Sequence, residues 1–171
     1  IESKSLTTSL NDFLLSAQKP NEENKFVFES EKLETFIQLD EINGIEKSGK
    51  FKDEYFYKPY LTNIVLLKDN NYLIQVSYIG ISENTALLRA SFEFIAHKTT
   101  NTFMFSSPLF KNTKNWKVKK IGNNIFHYQN IINNEKVKEF NKLTSSFDNK
   151  LKSTNKITDY YLCDNIIELE K

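Results

Sequence analysis

A chain of 171 residues with 39% apolar and 13% aromatic content can bury a core, which excludes a disordered chain and bounds it to one domain, or one domain plus part of another. Its 23 basic and 22 acidic residues nearly cancel, so the basic excess of a nucleic-acid binder is absent. A single cysteine, Cys163, excludes an internal disulfide, and no apolar run is long enough for a transmembrane segment.

From the N-terminus, Leu6, Leu10, Phe13, Leu14 and Ala17 recur at helical spacing, with Ser5 as N-cap and Pro20 just past the end. A second helix is expected after Ser30, with Leu33, Phe36, Ile37 and Ile42 as its stripe and Asn43-Gly44 as its stop. Residues 44–58 read as a loop with an aromatic knot at Tyr55, Phe56 and Tyr57, closed by Pro59.

The period then changes to two. Strands are expected at 60–68, 72–79, 85–98, 102–107 and 115–121, with turns at Asp69-Asn70-Asn71 and Ser82-Glu83-Asn84. In the long strand 85–98, Leu88, Ala90, Phe92, Phe94 and Ala96 share one face, and Arg89, Ser91, Glu93 and His97 the other. Two helices followed by an antiparallel meander form an α+β pattern, with the helices packed on one sheet face.

The stretch 111–128, "KNTKNWKVKKIGNNIFHY", gathers five lysines around the only tryptophan. Alternation puts Trp116 and Val118 on one face and Lys117 and Lys119 on the other, so a β-hairpin turning at Gly122-Asn123-Asn124 is favoured over a polyanion-binding patch. Trp116 is then expected to be a core-packing residue. Beyond Asn130 the pattern is a helix at 134–152, its stripe being Val137, Phe140, Leu143 or Thr144, Phe147 and Leu151. A strand, "ITDYYLC", and the start of a further helix follow, so the chain divides into a domain at 1–130 and a helix–strand–helix segment at 131–171, the start of a second domain.

Element order, with a late strand carrying "WKV" at 116–118, resembles the NTF2-like (cystatin-like) α+β family, which implies a curved antiparallel sheet holding the N-terminal helices on one face. The run from "FYKPYLTNIVLLKDNNYLIQVSYIG" through "ENTALLRASFEFIA" to "NTFMFSSPLFKNTKNWKVKKIGNNIFHYQN" also resembles the N-terminal region of secreted bacterial proteins in which a gluzincin-type (peptidase MA-like) domain follows. The diagnostic His-Glu-x-x-His of that domain has no counterpart in this chain. The resemblance implies a secreted or cell-envelope location. A start at Ile1, without methionine or signal-peptide core, reads as a processed or excised chain. Abundant Asn, Ile and Lys, with Arg89 the sole arginine, matches the bias of AT-rich bacterial genomes.

Candidate chemistry is sparse. Hydrolytic zinc takes about three protein ligands, and the two histidines, His97 and His127, sit on different strands without a carboxylate at helical spacing. No metal, cofactor or catalytic residue is expected, and Cys163 reads as an inert thiol. If the polar face of strand 85–98 lines a pocket, Arg89 becomes an anion clamp, with Glu93, His97 and Tyr78 as the other candidate ligand-binding residues. The expected function is a non-catalytic accessory or interaction domain of an exported bacterial protein. Its expected partner is a C-terminal domain of the same protein or another protein. The alternatives are the N-terminal part of a gluzincin-type metallopeptidase, and a small-ligand binder with a pocket beneath the helices.

Overall fold

A computed structural model of the chain describes residues 2–47, 56–153 and 156–165. It is an α+β protein whose chain divides into two compact units, Ile1–Leu109 and Phe110–Lys171. The hairpin 117–128 thus falls in the second unit, whereas the division after residue 130 read from sequence places it in the first.

In the first unit, α1 (Glu2–Ser16) and α2 (Lys32–Lys47) precede four strands, β1 (Lys58–Leu66), β2 (Tyr72–Ser82), β3 (Thr85–Lys98) and β4 (Phe103–Ser106). The strands form one antiparallel sheet in the order β1-β2-β3-β4. Leu6, Leu10, Phe13, Leu14 and Ala17 are buried, as their spacing demands. Ser5 lies inside α1, which starts ahead of it. Together with Leu39, Ile42 and Ile45 of α2, they cover Ile74, Val76, Tyr78, Phe94, Ala96, Phe103 and Phe105 of the sheet. Both helices therefore pack on one sheet face. At the centre the Phe13 ring stacks on Phe105 at 4.7 Å and meets Phe94 edge-on at 5.2 Å.

The expected stripe of α2 is rotated. Leu33 and Ile37 are exposed, and the buried positions are Thr35, Leu39, Ile42 and Ile45. Thr35 tolerates burial because its hydroxyl donates to the Glu31 carbonyl at 2.7 Å and accepts from the Ser107 amide at 3.0 Å. The helix does not stop at Asn43-Gly44, since Ile45 continues the buried stripe one turn further. The aromatic knot falls partly outside the described residues: Tyr55 is not among them, while Phe56 and Tyr57 pack edge-on at 4.8 Å.

Two bulges set which side chains share a sheet face. Thr62 is the extra residue in β1, because Leu61 pairs with Val76 and Asn63 with Gln75. In β3 the extra residue is Arg89, because Tyr78 pairs with Ala90 but Ile79 with Leu88. Leu88 is therefore turned off the helix side and exposed, contrary to the expected run of Leu88, Ala90, Phe92, Phe94 and Ala96 on one face. The β2–β3 turn closes on Glu83 and Asn84, both at positive φ (50° and 61°), as a two-residue hairpin turn of the primed type requires.

A short helix, α3 (Leu109–Thr113), begins at the last residue of the first unit, and the second unit continues with β5 (Lys117–Ile121), β6 (Asn124–Tyr128), α4 (Asn134–Leu151) and β7 (Thr158–Leu162). The sheet order is β5-β6-β7, with β5–β6 antiparallel and β6–β7 parallel. A parallel pair needs a crossover, and α4 provides it, capped by Asn133, whose side chain accepts from the Glu135 and Lys136 amides. Phe126 stacks on Tyr160 at 5.4 Å, and Phe140 of α4 meets Tyr160 edge-on at 5.1 Å. The ambiguity at 143/144 resolves to Thr144, which is half-buried and accepts from Asn124 Nδ2 at 2.8 Å while Leu143 is exposed.

The lysine strand is the reverse of expectation. Register places Lys119 beside Phe126 and Tyr160, on the side α4 covers, and its ammonium donates to Asn134. Val118 is left 60% exposed, and Trp116 is half-buried against Tyr161 at 6.3 Å rather than sunk in a core. The helix side accepts the lysines because their aliphatic stems cover apolar surface while the charged ends reach Asn134 and the Asn130 carbonyl.

Candidate functional site

The four candidate ligand-binding residues do not converge. Tyr78 points into the helix-covered core and is fully buried, with Phe92 edge-on at 5.9 Å. Arg89 sits exposed at the β3 bulge, and Glu93, opposite Gln75, is half-buried on the other face. His97 is further along that outer face, its Nε2 2.8 Å from Ser106 Oγ and its ring stacked on Phe28 at 3.9 Å. Burial lowers the His97 pKa below its ordinary value. Its neutral form therefore stabilises the fold above about pH 6.5, and that contribution is lost as pH falls toward its folded-state pKa.

Between these residues runs a ladder of hydroxyls. Ser77 Oγ lies 2.8 Å from Ser91 Oγ and 3.0 Å from Thr62 Oγ1, so three neighbouring strands are tied across the sheet. These hydroxyls satisfy one another, and no nucleophile–base pair arises from them.

Tyr78 is distinctive for another reason. Its hydroxyl is buried without a hydrogen bond of good geometry, and burial first, then the nearby Glu46 carboxylate, push its pKa far above the usual phenol range. Removing the hydroxyl while keeping the ring should remove a desolvation cost. Tyr78→Phe is expected to leave stability unchanged or raise it by about 1 kcal/mol at neutral pH. The wild-type contribution of this group is complete below pH about 10, the unfolded value, and falls as pH rises beyond it, so the variant should resist alkaline unfolding better. Urea titrations at pH 7 and pH 10.5 test both points; a loss above about 1.5 kcal/mol at pH 7 would mean that the hydroxyl has a partner.

A groove of about 490 Å³ lies elsewhere in the first unit, between α1 and the β3–β4 turn. Lys4, Thr8 and Asp12 line it at four-residue spacing on α1, facing Phe26, Asn101 and Thr102. Ser9 anchors the turn, its Oγ lying 2.8 Å from Thr102 Oγ1 and accepting from the Phe103 amide. Arg89, Glu93, His97 and Tyr78 are not part of its wall.

In the second unit, His127 Nε2 is 2.7 Å from Asp159 Oδ1, and its ring stacks on Tyr161 at 4.5 Å. Adjacency of the parallel strands β6 and β7 creates this pair, which sequence reading missed because residues 127 and 159 are brought together only by the α4 crossover. Among the described residues no cluster of three His, Cys, Asp or Glu side chains could hold a metal, and the two histidines belong to different sheets. Likewise, none of the described helices is long and apolar enough to cross a membrane.

Comparison of the chain with protein-family models, curated proteins and solved structures finds no match. The functional reading rests on geometry.

Proposed function

We propose that the chain is a non-catalytic interaction module of an exported bacterial protein, its first unit an NTF2-like accessory domain and its second unit a docking layer for further polypeptide. The observation that carries this reading is the apolar stripe of α4. Val137 is buried and Phe140 packs on Phe126 and Tyr160, but Phe147 is exposed and Leu151 is 75% exposed. A stripe this apolar is the surface a helix buries in a finished layer, and here its C-terminal half has no cover among the described residues. The NTF2-like part is supported by two helices preceding, and packing on, one face of a four-stranded antiparallel sheet.

A second reading makes the chain the N-terminal part of a gluzincin-type metallopeptidase. It draws on the parallel β6–α4–β7 unit, whose helix and last strand resemble the opening elements of that domain. Under both readings the chain alone should hydrolyse no peptide and retain no stoichiometric zinc after dialysis. Zinc that is retained, and then lost in His97→Ala or His127→Ala, would overturn the non-catalytic assignment. To test the docking layer, exchange of the amides at 143–151 is measured in the chain alone. Faster exchange than at 134–142 is expected of an uncovered helix end, and equal protection along α4 would refute the docking role.

A further inference from the structure

The bare half of α4 is marked by charge as well as by apolar surface. Leu143, Phe147 and Leu151 follow one another at four-residue spacing and are 55%, 51% and 75% exposed. Lys136 and Lys150 stand seven residues before and after Leu143, two helical turns each way, so both fall in line with the stripe and close its ends. The Lys150 ammonium sits over the exposed Phe147 ring, 5.8 Å from its centroid. Among the described residues no carboxylate forms an ion pair with Lys136 or Lys150.

The surroundings carry the same sign. The second unit holds 12 lysines against 7 acidic residues, whereas the first holds 15 acidic against 11 basic, so the near-neutral total conceals a basic second unit. Two acids lie close to the stripe. Asp148 is half-buried and accepts from Ser153 Oγ at 3.1 Å, which leaves Glu139, one turn before Leu143, as the acid that borders it in solvent. A lipid surface suits this layout poorly, because ammoniums in line with the apolar side chains would enter the acyl layer beside them. Another helix suits it well, because rows of side chains four residues apart interlock with rows of the same spacing.

Resting on the docking role of α4, we propose that its partner is an acidic amphipathic helix. The partner's apolar ridge packs between Leu143, Phe147 and Leu151, and a carboxylate near each of its ends meets Lys136 and Lys150. These lysines are 14 residues apart on α4, about 21 Å, so the partner helix runs about four turns and its two acids have the same separation. Burial of the stripe supplies affinity, and the end charges supply register and choice of partner. Three apolar side chains bury less than the roughly 1,200 Å² of a standard stable interface, so the complex is weak and salt-sensitive.

Two synthetic helical peptides of about 18 residues serve as probes for the whole chain, alike in their leucine ridge but ending in glutamates or in lysines. In fluorescence anisotropy at low salt the glutamate peptide should bind about 10-fold more tightly, and about 0.5 M salt should cut that preference below about 3-fold. Lys136→Glu combined with Lys150→Glu, both exposed positions, should reverse the preference. Phe147→Ala should weaken the glutamate peptide about 10-fold, and its binding to wild type should slow exchange at 143–151. Equal binding of the two peptides, or a preference that survives the double charge reversal, overturns the acidic-helix partner. Binding of neither peptide overturns it as well, and sedimentation with anionic vesicles would then assign the stripe to a lipid surface. The docking role itself stands or falls separately, on exchange along α4 in the chain alone.

Discussion

Phe13→Ala is expected to remove about 3–5 kcal/mol of stability, the range for truncating a fully buried aromatic ring. Phe13 has no exposed surface, and its ring is the contact through which α1 meets both β3 and β4, stacking on Phe105 and meeting Phe94 edge-on. The backbone around it is also fixed, since Asn24 Nδ2 donates to the Phe13 carbonyl at 3.0 Å, so the helix cannot readily settle into the cavity. A domain of this size has about 5–15 kcal/mol in total, so the loss should appear as a fall in melting temperature of more than about 10 °C. The control is Phe147→Ala in α4, an equal truncation of an exposed ring, which should shift stability by less than about 1 kcal/mol. Urea denaturation of the two variants decides the matter. Comparable losses would mean that the Phe147 ring is covered in solution, which would also remove the basis of the docking layer.

The contrast between α1 and α2 shows what the sequence could reveal. In α1 the buried stripe is apolar apart from Ser9, and its apolar residues fall at helical spacing, so pattern alone identifies them. In α2 one buried position is Thr35, whose burial depends on accepting from the Ser107 amide 72 residues away. A reading by apolar residues instead selects Leu33 and Ile37, which the fold leaves in solvent. The β3 bulge was hidden for a related reason: Leu87 and Leu88 are both apolar, so alternation cannot reveal which of them turns inward once Arg89 is inserted. The same insertion displaces the sole arginine from the regular outer face on which the anion-clamp reading had placed it. Non-local pairing was the other blind spot. Tyr160 beside Phe126 and Asp159 on His127 both arise from the parallel β6–β7 ladder, and no local pattern encodes a register between strands 30 residues apart.

The second unit should open well before the first. Among the described residues its buried apolar side chains are Phe126 and Val137, supported by the partly exposed Phe140 and Tyr160. The first unit buries a continuous cluster reaching from Leu6 to Phe105. Burial of apolar area is the main favourable term in folding, and a three-stranded sheet under one half-covered helix supplies little of it. The fixed polar contacts of Asn124 with Asn141 and Thr144 position α4 but add only about 1 kcal/mol each. Amides of β6 and α4 are therefore expected to exchange at least about 30-fold faster, relative to their unfolded rates, than those of β2 and β3, corresponding to an opening free energy lower by about 2 kcal/mol or more. Native-state hydrogen exchange in low denaturant reads both units in one experiment. If amides 124–151 and 72–96 share one opening free energy, the two units unfold as one. The half-bare face of α4 would then need no further partner for stability.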